Sequence, residues 1–394
     1  MGRLLAFLVA ASVLPGADYQ APAGVRPAQR RPGAASVLPG GRLISPVGRQ
    51  FTTGPGTFGM AVSPSGKTVI TADGGPRLFS LTLLSQAAPN KWQTDSIVPY
   101  KIEKGEYDDS DWLSVFMGVA FEDERSVFVS EGNTGVIRLI DARNGKKKQL
   151  FHLNQGEWRD SFSGDLAYDH KRELLYVVDQ ANFRLAIFDT KRKKLMSSVR
   201  VGRLPFAVAL SPDGKRVYVT NTGMFDYRPI SGADTRETAA TGLPFPAFAF
   251  PSTEAAQGIE AKNRAGETVR VPGLGDPNAQ EANSVAFVNV EEPAKPKLEG
   301  YARTGALFGS LSLGGSAPSG VLATPDRVYV SNAHNDSITV LHAQNRQPIA
   351  EIALRIPGLE NLRGIMPVGM AFHEGTGWLL VAEAGMNAIG IIDT

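Results

Sequence analysis

Six copies of one phrase constrain the fold of this chain more than any other feature. Each copy has a short apolar segment, a turn, a segment rich in Val and Tyr, a polar break and a third apolar segment. The copies begin at Phe58, Met117, Gly164, Phe206, Ser319 and Val368. Their apolar runs are four to eight residues long, are rich in β-branched and aromatic side chains, and are bounded by Gly, Pro, Asp and Asn. This pattern predicts β-strands.

The length of the repeat predicts how the strands are arranged. A fourth strand is visible in three copies, as "KKKQLFHL", "KLMSSVRVG" and "QPIAEIAL". A sheet of four such strands cannot bury both of its faces alone, so the copies must stack on one another. Residues 42–394, apart from an insertion at 223–312, give about 44 residues per copy, which matches a propeller blade. The sequence predicts an all-β β-propeller of four-stranded blades, with six repeats visible and seven expected in the intact protein.

The last copy stops at "GIIDT", which aligns with the third strand of the other copies. A sheet edge left open in this way invites pairing with another strand. Two alternatives stay open. The segment "GRLISPVGRQFTTG" at 41–54 supplies the fourth strand and latches the ring, or the chain is a truncated part of a longer protein.

The N-terminus has the pattern of a secretory signal. Arg3 precedes an apolar run from Leu4 to Leu14, and small residues follow it. This predicts a signal peptide over residues 1–23 and a periplasmic or extracellular protein. The alternatives are a buried first strand or an error in the start site. Residues 24–41 are rich in Pro, Gly, Ala and Arg without periodicity, which predicts a linker.

Composition excludes several kinds of chemistry. The chain has 394 residues and no cysteine, so disulfides, thiolate metal ligands, cysteine nucleophiles and covalent c-type haem are all excluded. The net charge of +2 argues against a nucleic-acid partner. No apolar segment reaches the ~20 residues that cross a bilayer, so no transmembrane segment is expected.

Two sets of motifs resemble known proteins. The phrases "SPDGKRVYVTN" and "IFDT" resemble the YVTN-type propeller repeats of secreted bacterial and archaeal proteins, from about residue 42 to the end. The segments "NTGMFDYRPI", "GLPFPAFAFPS" and "VPGLGDPNAQEANSVAFVNV", with "GRLISPVGRQ", resemble a subfamily in which the propeller precedes an alkaline-phosphatase-like phosphoesterase domain. The resemblance implies that the ring and the enzyme continue beyond Thr394. No position of this chain corresponds to a catalytic residue of that family.

A column of polar residues is the first candidate binding site. Each copy places one directly after its second strand: Asp73, Glu131, Asp179, Asn221, Asn332 and Glu383. In a propeller these turns open onto the face where ligands usually bind, so a ring of such groups would favour a cation. The alternative is that Asp and Asn close the turns by bonding to the backbone.

The insertion 223–312 interrupts the fourth copy between its second and third strands, on the same face. Its aromatic content predicts a folded flap over the channel, and ordered loops of this size are usually functional. The residues expected to form its apolar contact face are Met224, Phe225, Tyr227, Phe248 and Phe250. The alternative is that they pack the flap onto its own blade.

One acidic loop is a candidate metal site. "EYDDSDW" gathers Asp108, Asp109 and Asp111, whose oxygens suit calcium, but the spacing lacks the glycine and glutamate of an EF-hand. No other cofactor is evident, and no catalytic constellation is found. The sequence therefore favours an exported ligand-binding or protein-interaction platform. The alternative is the propeller portion of a phosphoesterase.

Overall fold

A computed structural model describes residues 21–31, 34–75, 79–98, 112–228, 230–234, 237–305 and 315–394. The chain forms two compact units, Met1–Thr52 and Thr53–Thr394. Most of the predicted signal peptide and the acidic loop at Asp108, Asp109 and Asp111 lie outside the described residues, so those predictions remain untested.

The first unit contains one small sheet. Its strands are β1 (Ser36–Val37) and β2 (Leu43–Ile44), which pair antiparallel with Val37 opposite Leu43. The segment predicted as a linker thus contains a strand. The strand within 41–54 pairs with β1, in a different sheet from that of the last copy. The first alternative for completing the last blade is therefore not found.

The second unit is a β-propeller whose blades follow the sequence repeats. Blade one contains β3 to β6 (Thr57–Val62, Thr68–Gly74, Phe79–Ala88, Lys91–Ile97). Blade two contains β7 to β10 (Val119–Phe121, Ser126–Ser130, Val136–Asp141, Lys147–His152). Blade three contains β11 to β14 (Ser163–Asp169, Leu174–Asp179, Arg184–Asp189, Lys194–Arg200). Every neighbouring pair within these blades is antiparallel.

Blade four is interrupted by inserted elements. It starts with β15 and β16 (Pro205–Leu210, Arg216–Asn221). The short helices α1 and α2 (Thr238–Thr241, Thr253–Gln257) and the hairpin β17–β18 (Gly258–Lys262, Thr268–Pro272) follow. Strands β19 and β20 (Ser284–Asn289, Lys297–Arg303) then complete the sheet.

The last two blades differ in their number of strands. Blade five contains β21 to β24 (Pro318–Ala323, Arg327–Asn332, Ser337–His342, Pro348–Ala353). Blade six contains β25 to β27 (Pro367–His373, Trp378–Glu383, Ala388–Asp393). Its sheet has three strands among the described residues, whereas the other five blades have four.

The predicted insertion was too long. Its position between the second and third strands of the fourth copy is confirmed, but β19 and β20 lie inside the predicted range 223–312 and belong to the blade. The segment "SVAFVN" is a continuous apolar run that pairs with β16 on one side and β20 on the other. The insertion proper is therefore residues 222–283, and we call it the flap.

The core lies between the blades. The first strands of successive blades, β3, β7, β11, β15, β21 and β25, are neighbours around the channel. Apolar side chains alternate along each strand, so one set faces the preceding blade and the other faces the next. Each of the five interfaces between consecutive blades holds its own buried cluster of apolar residues. This arrangement supplies the burial that a single sheet lacks.

Candidate functional site

The six column residues lie at the end of the second strand of each blade, with Glu131 directly after β8 and Asp73 one residue before the end of β4. Five of them lie opposite the first residue of the innermost strand. These pairs are Asp73 with Thr57, Asp179 with Ser163, Asn221 with Pro205, Asn332 with Pro318 and Glu383 with Pro367. The repeated register places each column residue at the same corner of its blade.

Five of the six column side chains are buried. In blade three, Asp179 accepts a hydrogen bond of 2.8 Å from Nε of Arg184, and both side chains are fully buried. Trp158 lies over that guanidinium, 4.3 Å from its ring centroid. Blade two repeats the arrangement, with Glu131 bonded to Arg138 at 2.5 Å. These two carboxylates are internal ion pairs.

Blades one and five use hydroxyl groups in the same place. Thr57 and Thr82 donate hydrogen bonds of 2.7 and 2.6 Å to the carboxylate of Asp73. In blade five, the amide of Asn332 donates to Thr339 at 2.8 Å. These contacts tie the column residues to other side chains of their own blades, whereas the alternative predicted bonds to the backbone of their turns. Binding of a cation by the column stays a prediction, and only the half-buried Glu383 has a side chain near the surface.

The environment of Glu383 differs from that of the other column residues. Burial raises the pKa of its carboxyl group, and the neighbouring Asp336 carboxylate raises it further. Asp336 itself accepts hydrogen bonds from the backbone N–H groups of Gly364 and Met366. In blade six the column residue is therefore a half-buried carboxyl group with a raised pKa, whereas the other five column side chains are buried.

The flap carries a cluster of aromatic side chains. The ring of Phe225 lies 4.7 Å from that of Phe250 and 6.0 Å from that of Tyr227, both edge-to-face. Tyr227 and Phe250 are exposed, and Phe225 and Phe248 are half-buried. Of the five predicted residues, three therefore form one cluster. Phe245, in the motif "LPFPAF", is also strongly exposed and was missed by the sequence analysis.

Met224 packs inward. Its sulfur lies against Gly315, where an added Cβ would be 3.2 Å away. Its carbonyl oxygen accepts a hydrogen bond of 2.6 Å from Nη1 of Arg203. Met224 therefore joins the flap to the blades, which corresponds to the packing alternative for this residue.

Arg203 anchors the flap to blade four. This buried guanidinium donates from Nη1 to the carbonyl oxygens of Met224 and Asp276, at 2.6 and 2.7 Å, and from Nη2 to Glu281 at 3.1 Å. The three acceptors lie at the two ends of the flap. One side chain therefore holds both ends on the propeller.

Removing this anchor is expected to loosen the flap. In Arg203→Ala, loss of charge-assisted hydrogen bonds to a buried group costs about 1–3 kcal/mol, so local opening of the flap should rise by roughly tenfold or more. Limited proteolysis with mass spectrometry should find cleavage within 224–283 accelerated to that extent. Arg228→Ala, which removes an exposed partner of Asp226, is the matched control. Equal cleavage rates in both variants would contradict the anchoring role.

One carboxyl group lies on the innermost strand of blade three. Asp165 accepts hydrogen bonds of 2.9 Å from the backbone N–H groups of Val208, on blade four, and of Leu166. The other copies place Gly or Ala at this position, as in Gly118 and Ala207. Burial raises the pKa of Asp165 to about 6, and the two backbone hydrogen bonds only partly offset this. The hydrogen bond from Val208 to Asp165, which links blades three and four, therefore involves a titratable group.

The raised pKa of Asp165 predicts a pH dependence of stability. Because the folded state favours the protonated form, the group's contribution is full below about pH 4 and is lost as the pH rises to about 6. The wild type loses this stability as the pH rises, whereas Asn does not titrate. The free energy of unfolding of Asp165→Asn, relative to that of wild type, should therefore rise by about 2 kcal/mol between pH 4 and pH 8. Thermal melts of both proteins over this range measure the difference. A constant difference across the range would contradict the assignment.

The face of the propeller opposite the column residues carries a cleft of about 590 Å³ between blades three and four, lined by Tyr168, Arg172 and Pro212 among others. The guanidinium of Arg172 already makes hydrogen bonds within the protein. Arg172 donates to Asp169 at 2.6 Å, to Tyr176 at 2.7 Å and to the carbonyl oxygen of Val290 at 2.8 Å. The floor of this cleft is therefore a joint between blades.

In the described part of the chain, the acidic and histidine side chains form no group of three or more that could hold a metal ion. None of its helices has the length and apolar character needed to cross a bilayer.

Comparison with known proteins identifies the fold. No sequence profile of a known family matches the chain, and no curated protein sequence does. A crystal structure of a proposed 6-phosphogluconolactonase from Bacteroides uniformis is similar, with a TM-score of 0.54 and 11% identity over 87% of this chain and 82% of that one. A protein from Lactobacillus plantarum is similar too, with a TM-score of 0.53 and 10% identity over 87% of this chain and 86% of that one. At these identities the likeness shows a shared propeller fold.

Proposed function

We propose that the protein is an exported ligand-binding or protein-interaction platform without catalysis of its own, and that the aromatic face of the flap is its binding surface. The observation that supports this most strongly is the exposure of Tyr227, Phe245 and Phe250 on a flap that Arg203 holds in place. Aromatic side chains left in water on an anchored loop are typical of recognition surfaces.

The chemistry of this face suits a partner with an apolar surface. Rings such as those of Phe225 and Phe250 offer large contact areas, and the Tyr227 hydroxyl group adds a hydrogen bond at the edge. Arg228 and Asp226 form an ion pair of 2.7 Å beside the cluster. A small molecule with an apolar ring, or an apolar patch on a protein, fits this combination.

A binding screen tests the proposal. Arrays of immobilised glycans and peptides are probed with the wild-type protein, and each ligand found is measured again with the double variant Tyr227→Ser/Phe250→Ser. Loss of two aromatic contacts should weaken binding at least about tenfold. Trp378→Ser, an exposed aromatic on blade six, is the matched control. A ligand that binds both variants with wild-type affinity would contradict the assignment of this face.

A second candidate function is that the chain is the N-terminal propeller of an alkaline-phosphatase-like phosphoesterase. Its support is the resemblance of the YVTN-type and flap motifs, together with the three-stranded sheet of blade six. The protein isolated from its natural source should then hydrolyse p-nitrophenyl phosphate in a metal-dependent way, while the 394-residue chain does not. Absence of this activity from the natural protein would rule the candidate out.

Export is tested by N-terminal sequencing. If residues 1–23 are a signal peptide, protein recovered from outside the cytoplasm should begin near Gly24. Recovery of the chain from the cytoplasm with Met1 intact would contradict the proposal.

A further inference from the structure

The two units of the chain carry charges of opposite sign. Residues 1–52 contain six arginines, one aspartate and no lysine or glutamate, which gives the first unit a net charge of +5. Because the whole chain carries +2, residues 53–394 carry −3. Five of the six arginines lie among the described residues of the first unit, at Arg26, Arg30, Arg31, Arg42 and Arg49. A charge asymmetry of this kind is typical of a segment that meets an anionic partner.

Three of these arginines form a short exposed group. Arg26, Arg30 and Arg31 lie within six residues of one another, and all three are exposed. Their side chains donate hydrogen bonds of 3.0, 3.0 and 3.1 Å to a backbone carbonyl, a threonine hydroxyl and a glutamine amide oxygen. These acceptors are neutral, and the sequence places no acidic residue between residues 19 and 72. The charge of this group is therefore available to a partner.

The backbone of the first unit holds this group in place. Gln29 and Val37 exchange two backbone hydrogen bonds, of 3.0 and 2.9 Å. The N–H group of Ala23 donates to the carbonyl oxygen of Gly41 at 2.9 Å. Ala23 and Val37 are each only 4% exposed. The arginines thus project from an ordered segment, which reduces the entropy lost when they bind.

Exposed apolar side chains accompany the arginines. Val25 and Val47 are fully exposed, and Leu43 is 38% exposed. Each of the three lies within two residues of an arginine along the chain. Arginine beside an exposed aliphatic side chain suits the boundary between lipid headgroups and acyl chains, where phosphates meet the guanidinium and the apolar group leaves water.

The same features argue against a soluble polyanion. Proteins that bind single-stranded nucleic acid stack the bases on aromatic rings. Phe51 is the one aromatic residue between residues 21 and 52, and it is half-buried. A nucleic-acid duplex or an acidic polysaccharide would engage the guanidinium groups but leave Val25 and Val47 in water. A phospholipid surface uses both kinds of side chain.

We propose that the first unit binds the surface of an anionic phospholipid membrane. Arg26, Arg30 and Arg31 contact the headgroup phosphates, and Val25 and Val47 enter the boundary beneath them. The propeller unit, which has a negative net charge, adds no overall attraction to such a surface. This inference does not depend on what the flap binds, and its failure would leave the assignment of the flap unchanged.

Sedimentation with lipid vesicles tests the proposal on the 394-residue chain. The protein should bind vesicles that contain about one quarter phosphatidylglycerol at least about 50-fold more tightly than vesicles of phosphatidylcholine alone. Each arginine near an anionic surface contributes roughly fivefold, so Arg26→Gln/Arg30→Gln/Arg31→Gln should weaken binding at least about 30-fold. Val25→Ser/Val47→Ser should weaken it at least about tenfold, because two side chains no longer leave water favourably.

Two further variants separate charge from position and from folding. Lys146→Gln/Lys193→Gln/Lys194→Gln removes the same charge from exposed residues of the propeller and should change binding less than about threefold. Arg26→Lys/Arg30→Lys/Arg31→Lys keeps the charge and should retain binding within about fivefold of wild type.

Three results would overturn the inference. The first is equal binding to vesicles with and without phosphatidylglycerol. The second is a loss in the propeller lysine variant, or in the arginine-to-lysine variant, as large as that of the arginine-to-glutamine variant. The third is vesicle binding that is unchanged in Val25→Ser/Val47→Ser while heparin is bound equally tightly, which would assign the arginines to a soluble polyanion.

Discussion

Replacing Arg184 by Ala should be among the most destabilising single changes in this protein. The substitution leaves the carboxylate of Asp179 fully buried without its 2.8 Å partner. It also removes the donor to the carbonyl oxygen of Leu153 and the cation beneath Trp158. Removing one member of a buried pair costs about 3–5 kcal/mol, which corresponds to roughly 5–15 °C in Tm for a domain of this size. Thermal unfolding followed by circular dichroism measures the shift.

The control for this prediction is an exposed pair in the same blade. Nζ of Lys191 lies 3.6 Å from the carboxylate of Glu173, and both side chains are exposed. Exposed pairs contribute about 0–1 kcal/mol, so Lys191→Ala should lower Tm by no more than about 2 °C. If Arg184→Ala is as mild as Lys191→Ala, then Asp179 is not held as an internal ion pair. The column could then still offer its groups to a ligand.

Gly320→Ala and Gly369→Ala should have very different effects on Tm, although they change equivalent positions in adjacent blades. At Gly320 the new methyl group would overlap the carbonyl oxygen of Val368 and lie 2.7 Å from Oγ of Ser331. Overpacking of this kind costs about 1–3 kcal/mol, and more when backbone must move. At Gly369 there is open space, so Ala should be neutral or stabilise by up to about 1 kcal/mol through the unfolded state.

Paired thermal melts of these two variants give the comparison. The predicted result is a clear loss in Tm for Gly320→Ala and no loss for Gly369→Ala in the 394-residue chain. Equal losses would mean that Gly369 already has a close neighbour on the face of blade six that points away from blade five, contrary to the open space found there.

The fold was predictable because its signal is repeated. Each strand is a short apolar run, and six copies of the same order leave few arrangements that bury both faces of every sheet. The end of the insertion was misplaced because "SVAFVN" lies far from the rest of its copy, so its partner β16 could not be recognised by proximity in the sequence. The strands of the first unit were missed because two residues show no periodicity.

The sequence indicated where the column residues lie, but it did not indicate that five of the six side chains are buried. A polar residue at the end of a strand can face water or an internal partner, and alternation does not distinguish the two. One signal was present in the sequence. Arg138 and Arg184 interrupt otherwise apolar third strands, "VIRLID" and "RLAIFD", beside an acidic column residue. Arginine in a buried strand requires such a partner, so these pairs could have been inferred. The exposure of the flap aromatics depends on how the flap is anchored, which the sequence does not reveal.

Hydrogen exchange at β27 tests the open edge of blade six most directly. In the 394-residue chain, the amides on the outer edge of β27 have no fourth strand to bond with among the described residues, whereas those of β23 bond to β24. We predict that the outer amides of β27 exchange at least about 100-fold faster than the amides by which β23 bonds to β24. Protection of β27 equal to that of β23 would show that its edge is already covered, and would contradict the three-stranded sheet of blade six.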